Sequence, residues 1–540
     1  MNDIEYHLYE EVKAGRLSRR AFLVRASLWG LSAATIAATL GSPLSRRAAL
    51  ADTPKRGGVA TLGMRAPTAD PDPVTGYSDG GLRTVQAAAE YLCYPLPDYT
   101  LDPRLATSWT STDAKTWTFK LREGVKWQDG SALTVDDVVA TFDRLVNPDV
   151  KSAARSSFKG ILEMGQTEKV DDLTVTFHLS RPYVNFPYLT SAFNYNTVIL
   201  PKNYEAGSKT FSKGGIGTGP FILKAFSPEE ARLVRNPDYW DASMPYLDEL
   251  VLKFFQDTPP MVLALQGGAI DGLTTLPQSA APPLFDDANI IVLQNNSSDY
   301  RTLQMRVDIE PFNDKRLRQA IAWSLDRNAI VQAIYGPRAT VGNDHGFAPI
   351  FPDSKVTQQI EQRTQNYEKA KALLAEAGKP DGFQVKLTTE QFLEIPQYAV
   401  FVKDHAKGAG IEVELDIQPQ DAYYGSGDNQ PWLQVPFGIT DWSPRGNPSD
   451  TITPAYTCTA PWNSAHWCNE DFDAAMREYD GTVDEQKRLA AALKAATIQH
   501  EEVPVVIAYW GDTLRATNKK LQGLAKGPNF LDARSLWVAT

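Results

Sequence analysis

The residues with the most chemistry to offer stand together at Thr440-Asp441-Trp442-Ser443-Pro444-Arg445-Gly446-Asn447-Pro448. A carboxylate, an indole and a guanidinium this close can clamp a zwitterion. Asp441 would pair with an ammonium, Arg445 would fork onto a carboxylate, and Trp442 would cover an apolar side chain. The same two charges could instead pair with each other and shape the loop. Trp462, Asn463 and the Tyr423-Tyr424 pair are further cleft candidates, although the two tyrosines could simply pack a turn beside Gly425. Elsewhere, Gly76-Tyr77-Ser78-Asp79-Gly80 fits the G-x-S-x-G formula of a hydrolase nucleophile elbow. An elbow needs a strand immediately before its serine and a helix after it. Here the proline-rich Asp70-Pro71-Asp72-Pro73 comes first and no histidine stands out as a base, so a cleft loop whose Tyr77 touches ligand fits better. Gly214-Gly215-Ile216-Gly217-Thr218-Gly219-Pro220 has the outline of a phosphate loop. A proline and a strand pattern follow it where a helix N-terminus would have to face the phosphates, so it reads as a turn.

Elements must hold these residues in place. The apolar run Val435–Ile439 precedes the Asp441 loop, which therefore starts at a strand end, where α/β clefts place their binding loops. Thr116–Leu121 alternates Trp117, Phe119 and Leu121 with polar partners, the period of a half-buried strand. Gly124 and Asp129-Gly130 supply turns around Val125–Trp127, which predicts a hairpin. Thr134, with Asp137 in capping-box spacing, predicts a helix whose stripe is Val135, Val138, Val139, Phe142 and Leu145. Leu173–Leu179 and Phe221–Phe226 read as further strands, Asn236-Pro237-Asp238 as a turn, and Tyr239 and Trp240 as packing residues rather than ligand platforms.

From about Ser298 helices take over. Asn313 or Asp314 caps one and Asp326 caps the next, which stops at Gly336-Pro337. Another, Tyr367–Ala377, leads through Pro380-Asp381-Gly382 into a strand Phe383–Leu387. A helical region Glu470–His500 precedes an apolar strand Val503–Ala508. Helix, turn and strand in succession indicate an α/β protein.

The first 51 residues read as an address. Ser18-Arg19-Arg20-Ala21-Phe22-Leu23 matches a twin-arginine export pattern, an uncharged run extends from Ala26 to Leu44, and Ala49-Leu50-Ala51 is an A-x-A cleavage site. The run is too rich in Ser, Thr, Gly and Ala, and its apolar core too short, for a membrane anchor of ~20 residues. No lipobox cysteine stands at Ala49-Leu50-Ala51-Asp52, which disfavours a lipid anchor. Cleavage after Ala51 leaves 489 of the 540 residues, with 47 basic against 61 acidic and hence a net charge of −14 instead of −11. That length suits two large lobes, and that acidity argues against a nucleic-acid partner. The six histidines show no ligand spacing with the three cysteines, so no metal is expected. Export permits a disulfide, for which Cys458 and Cys468 are the natural pair, while Cys93 reads as a small core residue.

Four segments in order carry a resemblance. Leu105-Ala106-Thr107-Ser108-Trp109 with TWTFKLREGVKWQDGSALTVDDVVATFDRLV, then GTGPF … RNPDYW … PYLD, then FNDKRLRQAIAWSLDRNAIVQAIYG, are similar to the family 5 extracellular solute-binding proteins, the peptide/nickel-type receptors of ABC importers. The fourth, the Asp441 loop, matches in part. Peptide receptors of the family usually carry W-x-x-D … D-P, whose aspartate anchors the ligand's α-amino group. Here Arg445 falls at that aspartate's spacing, Asn447-Pro448 replaces Asp-Pro, and Asp441 lies ahead of Trp442.

The resemblance, which runs from Gly57-Gly58 to the C-terminus, implies a two-lobed periplasmic binding protein of type II with a ligand cleft between lobes. Lobe I would span 52–297, with an inserted subdomain at about 96–205. Lobe II would span 298–505, and 506–540 would return to lobe I. A short disulfide at Cys458–Cys468 is implied too. So is a monomeric periplasmic receptor, not an enzyme and without cofactor, which closes on a short peptide or peptide-like solute and delivers it to a membrane permease. An opine, a sugar derivative or a metal chelate such as haem are the other ligands considered. An exported serine hydrolase using Ser78 is the alternative from another class.

Overall fold

A computed structural model describes residues 54–539 except 77, 215, 426–429, 528 and 529. The leader and its cleavage site, and Tyr77, thus lie outside the described residues. Arg56–Val538 forms one compact unit.

Its frame is one twelve-stranded sheet. From one edge the strands run Ile411–Gln418, Phe383–Glu390, Phe437–Trp442, Ile290–Met305, Tyr509–Asn518, Gly272–Leu276, Val59–Arg65, Glu249–Phe255, Glu230–Arg235 and Phe221–Phe226, with Ala339–Val341 and Val505–Val506 added beside the centre. The long strand Ile290–Met305 serves both halves. Its first part pairs Ile290 to Asn295 with Asn518 to Thr513, and its last part pairs Tyr300 to Met305 with Trp442 to Phe437. Between Asn295 and Asp299 the register breaks, because four steps on this strand oppose two on its partner, Thr513 to Gly511. The result is a bulge at 296–298 where the chain passes from one half to the other.

Local chemistry explains the satellites. A four-stranded sheet of Ala106–Thr110, Thr116–Leu121, Thr174–His178 and Thr167–Asp171 carries the helix Val135–Val146. That helix starts in a capping box, in which Asp137 Oδ2 accepts from the Thr134 backbone N–H at 2.8 Å. Its buried stripe joins Phe119, Phe158 and Phe177 in the first core. The expected hairpin after Gly124 is reduced to one bridge, Lys126 with Ala132, held by Trp127 N–H donating to Ser131 O at 2.8 Å. Gly217 and Gly219 sit against the end of the helix Asp79–Ala88, where a Cβ would meet the Ala88 carbonyl oxygen at 1.9 Å and 2.7 Å respectively. The glycine-rich segment is therefore a packing turn. Tyr239 and Trp240 likewise face inward, donating to the two oxygens of buried Glu90 at 2.6 and 2.8 Å.

In the second half Asp314, Asp326, Asn366 and Asp484 cap helices with their side chains. The expected helical region from Glu470 consists of two helices, Glu470–Gly481 and Glu485–Glu502. The expected strand Val503–Ala508 shrinks to Val505–Val506. Pro504 has no N–H to donate, and the loop after Val341 takes the next groups, with Ile507 N–H on Asp344 Oδ1 at 3.1 Å and Ala508 O on Gly342 N at 2.9 Å. The strand that joins both halves is Tyr509–Asn518 instead.

Asp344, wholly buried, is the knot beneath this loop. Arg327 donates to its two oxygens at 2.9 and 2.7 Å, and Arg363 donates to Oδ2. Burial alone would raise the Asp344 carboxyl, but the two guanidinium groups outweigh it and hold it below its ordinary value. Its stabilising contribution is thus present at neutral pH and lost as pH falls through the lowered value. Asp344→Ala would strand two buried cations and is expected to cost about 3–5 kcal/mol, read by urea unfolding at pH 7.

Candidate functional site

Parallel pairing of Phe383–Glu390 with Phe437–Trp442, through Thr388–Gly438 and Thr389–Ile439, brings both carboxyl ends to one edge. Glu390 and Asp441 meet there. Antiparallel pairing on the other side sets Arg301 opposite Asp441 and Tyr300 opposite Trp442. Directly opposed residues share a sheet face, so Arg301 neighbours Asp441.

The short helix Gln420–Tyr424 closes over this end. Its Tyr424 hydroxyl contacts Glu390 Oε1 at 3.0 Å and Asp441 Oδ1, while Gln420 Nε2 donates to Glu390 Oε2 at 2.7 Å. Arg301 bridges Asp299 at 3.2 Å and Glu394 at 2.9 Å, and Glu394 also accepts from the Tyr335 hydroxyl at 2.7 Å. The patch thus holds four carboxylates against one guanidinium. Burial, and then the Asp441 charge, push the Glu390 carboxyl up to about 7. Burial also pushes Asp299 up to about 6, with Arg301 opposing and Glu394 and Asp441 adding to the rise. In physical terms this end of the sheet carries an excess of negative potential, which favours a positive charge beside it.

The other predicted residues separate by role. Trp442 is buried in an aromatic cluster, stacked on Tyr300 at 6.0 Å and 12°, with Trp432, Tyr456 and Trp462 around it. Its Nε1 donates to Thr302 Oγ1 at 3.1 Å, so its ring supports the loop from beneath. Trp462 stays 37% exposed at the edge of that cluster. Asn463 turns inward to the carbonyls of Thr457 and Trp467 at 3.2 and 2.6 Å, bracing the loop that the Cys458–Cys468 disulfide closes. Tyr423 is buried, sharing a 3.0 Å contact with Thr440 Oγ1, whereas Tyr424 is half-buried at the site.

Asp441 and Arg445 form no ion pair among the described residues. Arg445 is held by its backbone, its N–H donating to Ser298 Oγ and its carbonyl accepting from the same hydroxyl, both at 2.8 Å. Ser298 is the last residue of the strand bulge, so the loop is fastened to the crossing point. Asn447 caps the helix Pro448–Tyr456, whose Ser449 and Asp450 accept from Asn185 at 3.0 Å and from the Tyr183 hydroxyl at 2.6 Å. Beside that contact lies a cavity of 340 Å³, whose walls include Trp109, Tyr188, Asp353, Asn447, Tyr479 and Arg488.

Ser78 lies at the start of the helix Asp79–Ala88, while the preceding strand has already ended at Arg65. A nucleophile elbow has no such intervening loop. Among the described residues no group of three or more His, Cys, Asp and Glu side chains is arranged to hold a metal ion. Sequence reasoning missed Glu390, Glu394, Arg301 and Gln420. The signal available for Glu390 was Thr388-Thr389, two β-branched residues able to carry the strand on past Leu387.

The profile of the bacterial extracellular solute-binding proteins, family 5, matches residues 100–464, which include Glu390, Tyr424 and Asp441. The chain belongs to that family. A dipeptide-binding protein of Escherichia coli is 26% identical over 464 residues, spanning 79% of this chain and 84% of the relative. The glutathione-binding protein GsiB of Salmonella typhi is 27% identical over 429 residues, spanning 78% and 82%. In fold, the chain resembles a periplasmic binding protein, DppA of Helicobacter pylori, solved with the peptide STSA (TM-score 0.69, 22% identity, 90% of this chain and 99% of that one).

As a family 5 member the protein has the two-domain α/β fold of periplasmic binding proteins, and its family is made of binding proteins. Within that fold Trp442 and Trp462 should behave differently. Trp442→Ala is expected to cost about 3–5 kcal/mol of stability by opening a cavity, and Trp462→Ala to stay within about 1 kcal/mol. Thermal unfolding of the two variants checks this.

Proposed function

We propose that this protein is the periplasmic substrate-binding component of an ABC importer and that it captures a short peptide or peptide-like solute. The observation that carries the reading is the convergence of Asp441 and Glu390 at the carboxyl ends of two parallel strands, with Arg445 four residues further along. An ammonium would sit on the acidic end and a carboxylate on Arg445, the polarity of a peptide. The peptide and glutathione receptors among its relatives support this ligand class.

Capture would proceed by hinge closure. Lobe I, 52–297, and lobe II, 298–505, would turn about the bulge at 296–298 and the facing Gly511–Thr513, and the closed form would be what the permease recognises. In this reading Trp462 and Tyr77 touch the ligand and Trp442 stiffens the loop beneath. The receptor is a monomer, carries no cofactor and is free in the periplasm after twin-arginine export and cleavage behind Ala51.

Two measurements test the reading. Isothermal titration with a dipeptide panel should give saturable binding, and Asp441→Ala should weaken it by about tenfold or more, the loss of a charge-assisted hydrogen bond. Equal affinity in the variant would remove Asp441 from the site. For export, changing Arg19 and Arg20 to Lys should trap the protein in the cytoplasm, whereas the unchanged protein recovered from the periplasm should begin at Asp52 by N-terminal sequencing. Recovery of the double variant in the periplasm at unchanged yield would exclude the twin-arginine route.

A further inference from the structure

The Tyr424 hydroxyl oxygen contacts both Glu390 Oε1, at 3.0 Å, and Asp441 Oδ1, so one phenol bridges the two carboxyl groups. A phenol carries one proton and donates to one of these oxygens at a time. With both carboxylates ionised, the second of these contacts would press lone pairs together around a side chain, Glu390, that is wholly buried. At least one carboxyl proton is needed to satisfy the unliganded cluster.

Among the described residues, the surrounding elements bring no cation to take that proton's place. The helix Gln420–Tyr424 contributes Gln420, a neutral donor already on Glu390, and Tyr423, already engaged with Thr440. From the strand Ile290–Met305 comes Arg301, adjacent to Asp441 but engaged by Asp299 and Glu394, both of them negative. Tyr335 and Tyr509 complete Glu394 with neutral hydroxyls. Arg445, further along, is near enough for its charge to act on Tyr300 and Asp450. The elevated Glu390 carboxyl agrees with this geometry.

We propose that Glu390 determines specificity by sharing a proton with Asp441, and that a ligand's cationic group displaces this proton on binding. The inference rests on the assignment of the Asp441 loop to the ligand site. The exchange balances: one ammonium enters with its charge, one proton leaves to solvent, and both carboxylates end ionised on either side of the new cation. An ammonium brings three donors, enough for Glu390, Asp441 and the Tyr424 oxygen together. A ligand with a blocked amine cannot discharge the pair and should be rejected. Affinity for a cationic ligand should therefore rise with pH until Glu390 is ionised in the empty protein.

Two readouts keep the proposal separate from the peptide reading. Carboxyl carbon NMR of the unliganded protein should show Glu390 titrating near neutrality, and shifting towards the ordinary glutamate range in Asp441→Asn. A Glu390 that titrates in the ordinary range in the wild type overturns the proposal whatever the ligand. The second readout is calorimetric titration with Ala-Phe and N-acetyl-Ala-Phe. Ala-Phe should bind about tenfold tighter at pH 7.5 than at pH 5.5, the acetylated peptide should fail to compete, and Glu390→Gln should flatten the pH dependence. Ala-Phe affinity that is equal at both pH values overturns the proton exchange and leaves the peptide receptor intact. Failure of Ala-Phe to bind at either pH, with the NMR signature present, overturns the peptide reading and supports the shared proton.

Discussion

Everything at the site depends on how the strand Ile290–Met305 is paired. It lies antiparallel to Tyr509–Asn518 on both sides of a bulge, so two strands carry the chain between halves while a run of three residues escapes the ladder. Backbone pairing continues on either side, and the residues 296–298 stand outside the ladder at the line where the proposed closure would turn. Ser298, within that bulge, accepts from and donates to the Arg445 backbone. The position of the segment that follows Trp442 is thereby tied to the geometry of the crossing point. In the proposed function, a group bound at Asp441 would act on the same few residues that would have to turn.

A second layer of constraint is electrostatic. Asp299, Arg301, Glu390, Glu394 and Asp441 come from three strands and a loop, and their excess negative charge is tolerated because tyrosine hydroxyls and Gln420 satisfy the oxygens. Such a cluster is poised rather than relaxed: its carboxyl groups are held near the protonation boundary by burial and by each other. The Asp344 knot shows the opposite solution, in which one carboxylate is given two guanidinium partners and stays ionised. The first arrangement can respond to an incoming cation and the second cannot.

Much of the local architecture was legible in the sequence. Alternation disclosed Thr116–Leu121, the Thr134–Asp137 spacing disclosed the helix that follows, and Asp326 and Gly336 bounded another. The apolar run before Asp441 disclosed a strand because apolar patterning reports burial directly, but that strand runs on from Phe437 to Trp442, so Asp441 and Trp442 belong to its end and the loop begins behind them. Long-range partners were not legible. Glu390 and Asp441 are joined by strand order, and nothing local at either residue announces the other. The pairing of Asp441 with Arg445, plausible from their spacing, gives way to Tyr424 because the helix Gln420–Tyr424 packs over the strand ends. Val503–Ala508 misled through its apolar content, since those residues are buried while their backbone groups serve the 342–344 loop.

The most direct test of a hinged receptor for cationic, peptide-like solutes is native mass spectrometry of the mature protein taken from its own periplasm, followed by mass analysis of what denaturation releases. The account predicts a one-to-one complex and a released peptide or peptide-like compound with a free amino group. Release of a neutral sugar or of haem, bound at the same stoichiometry, would contradict it.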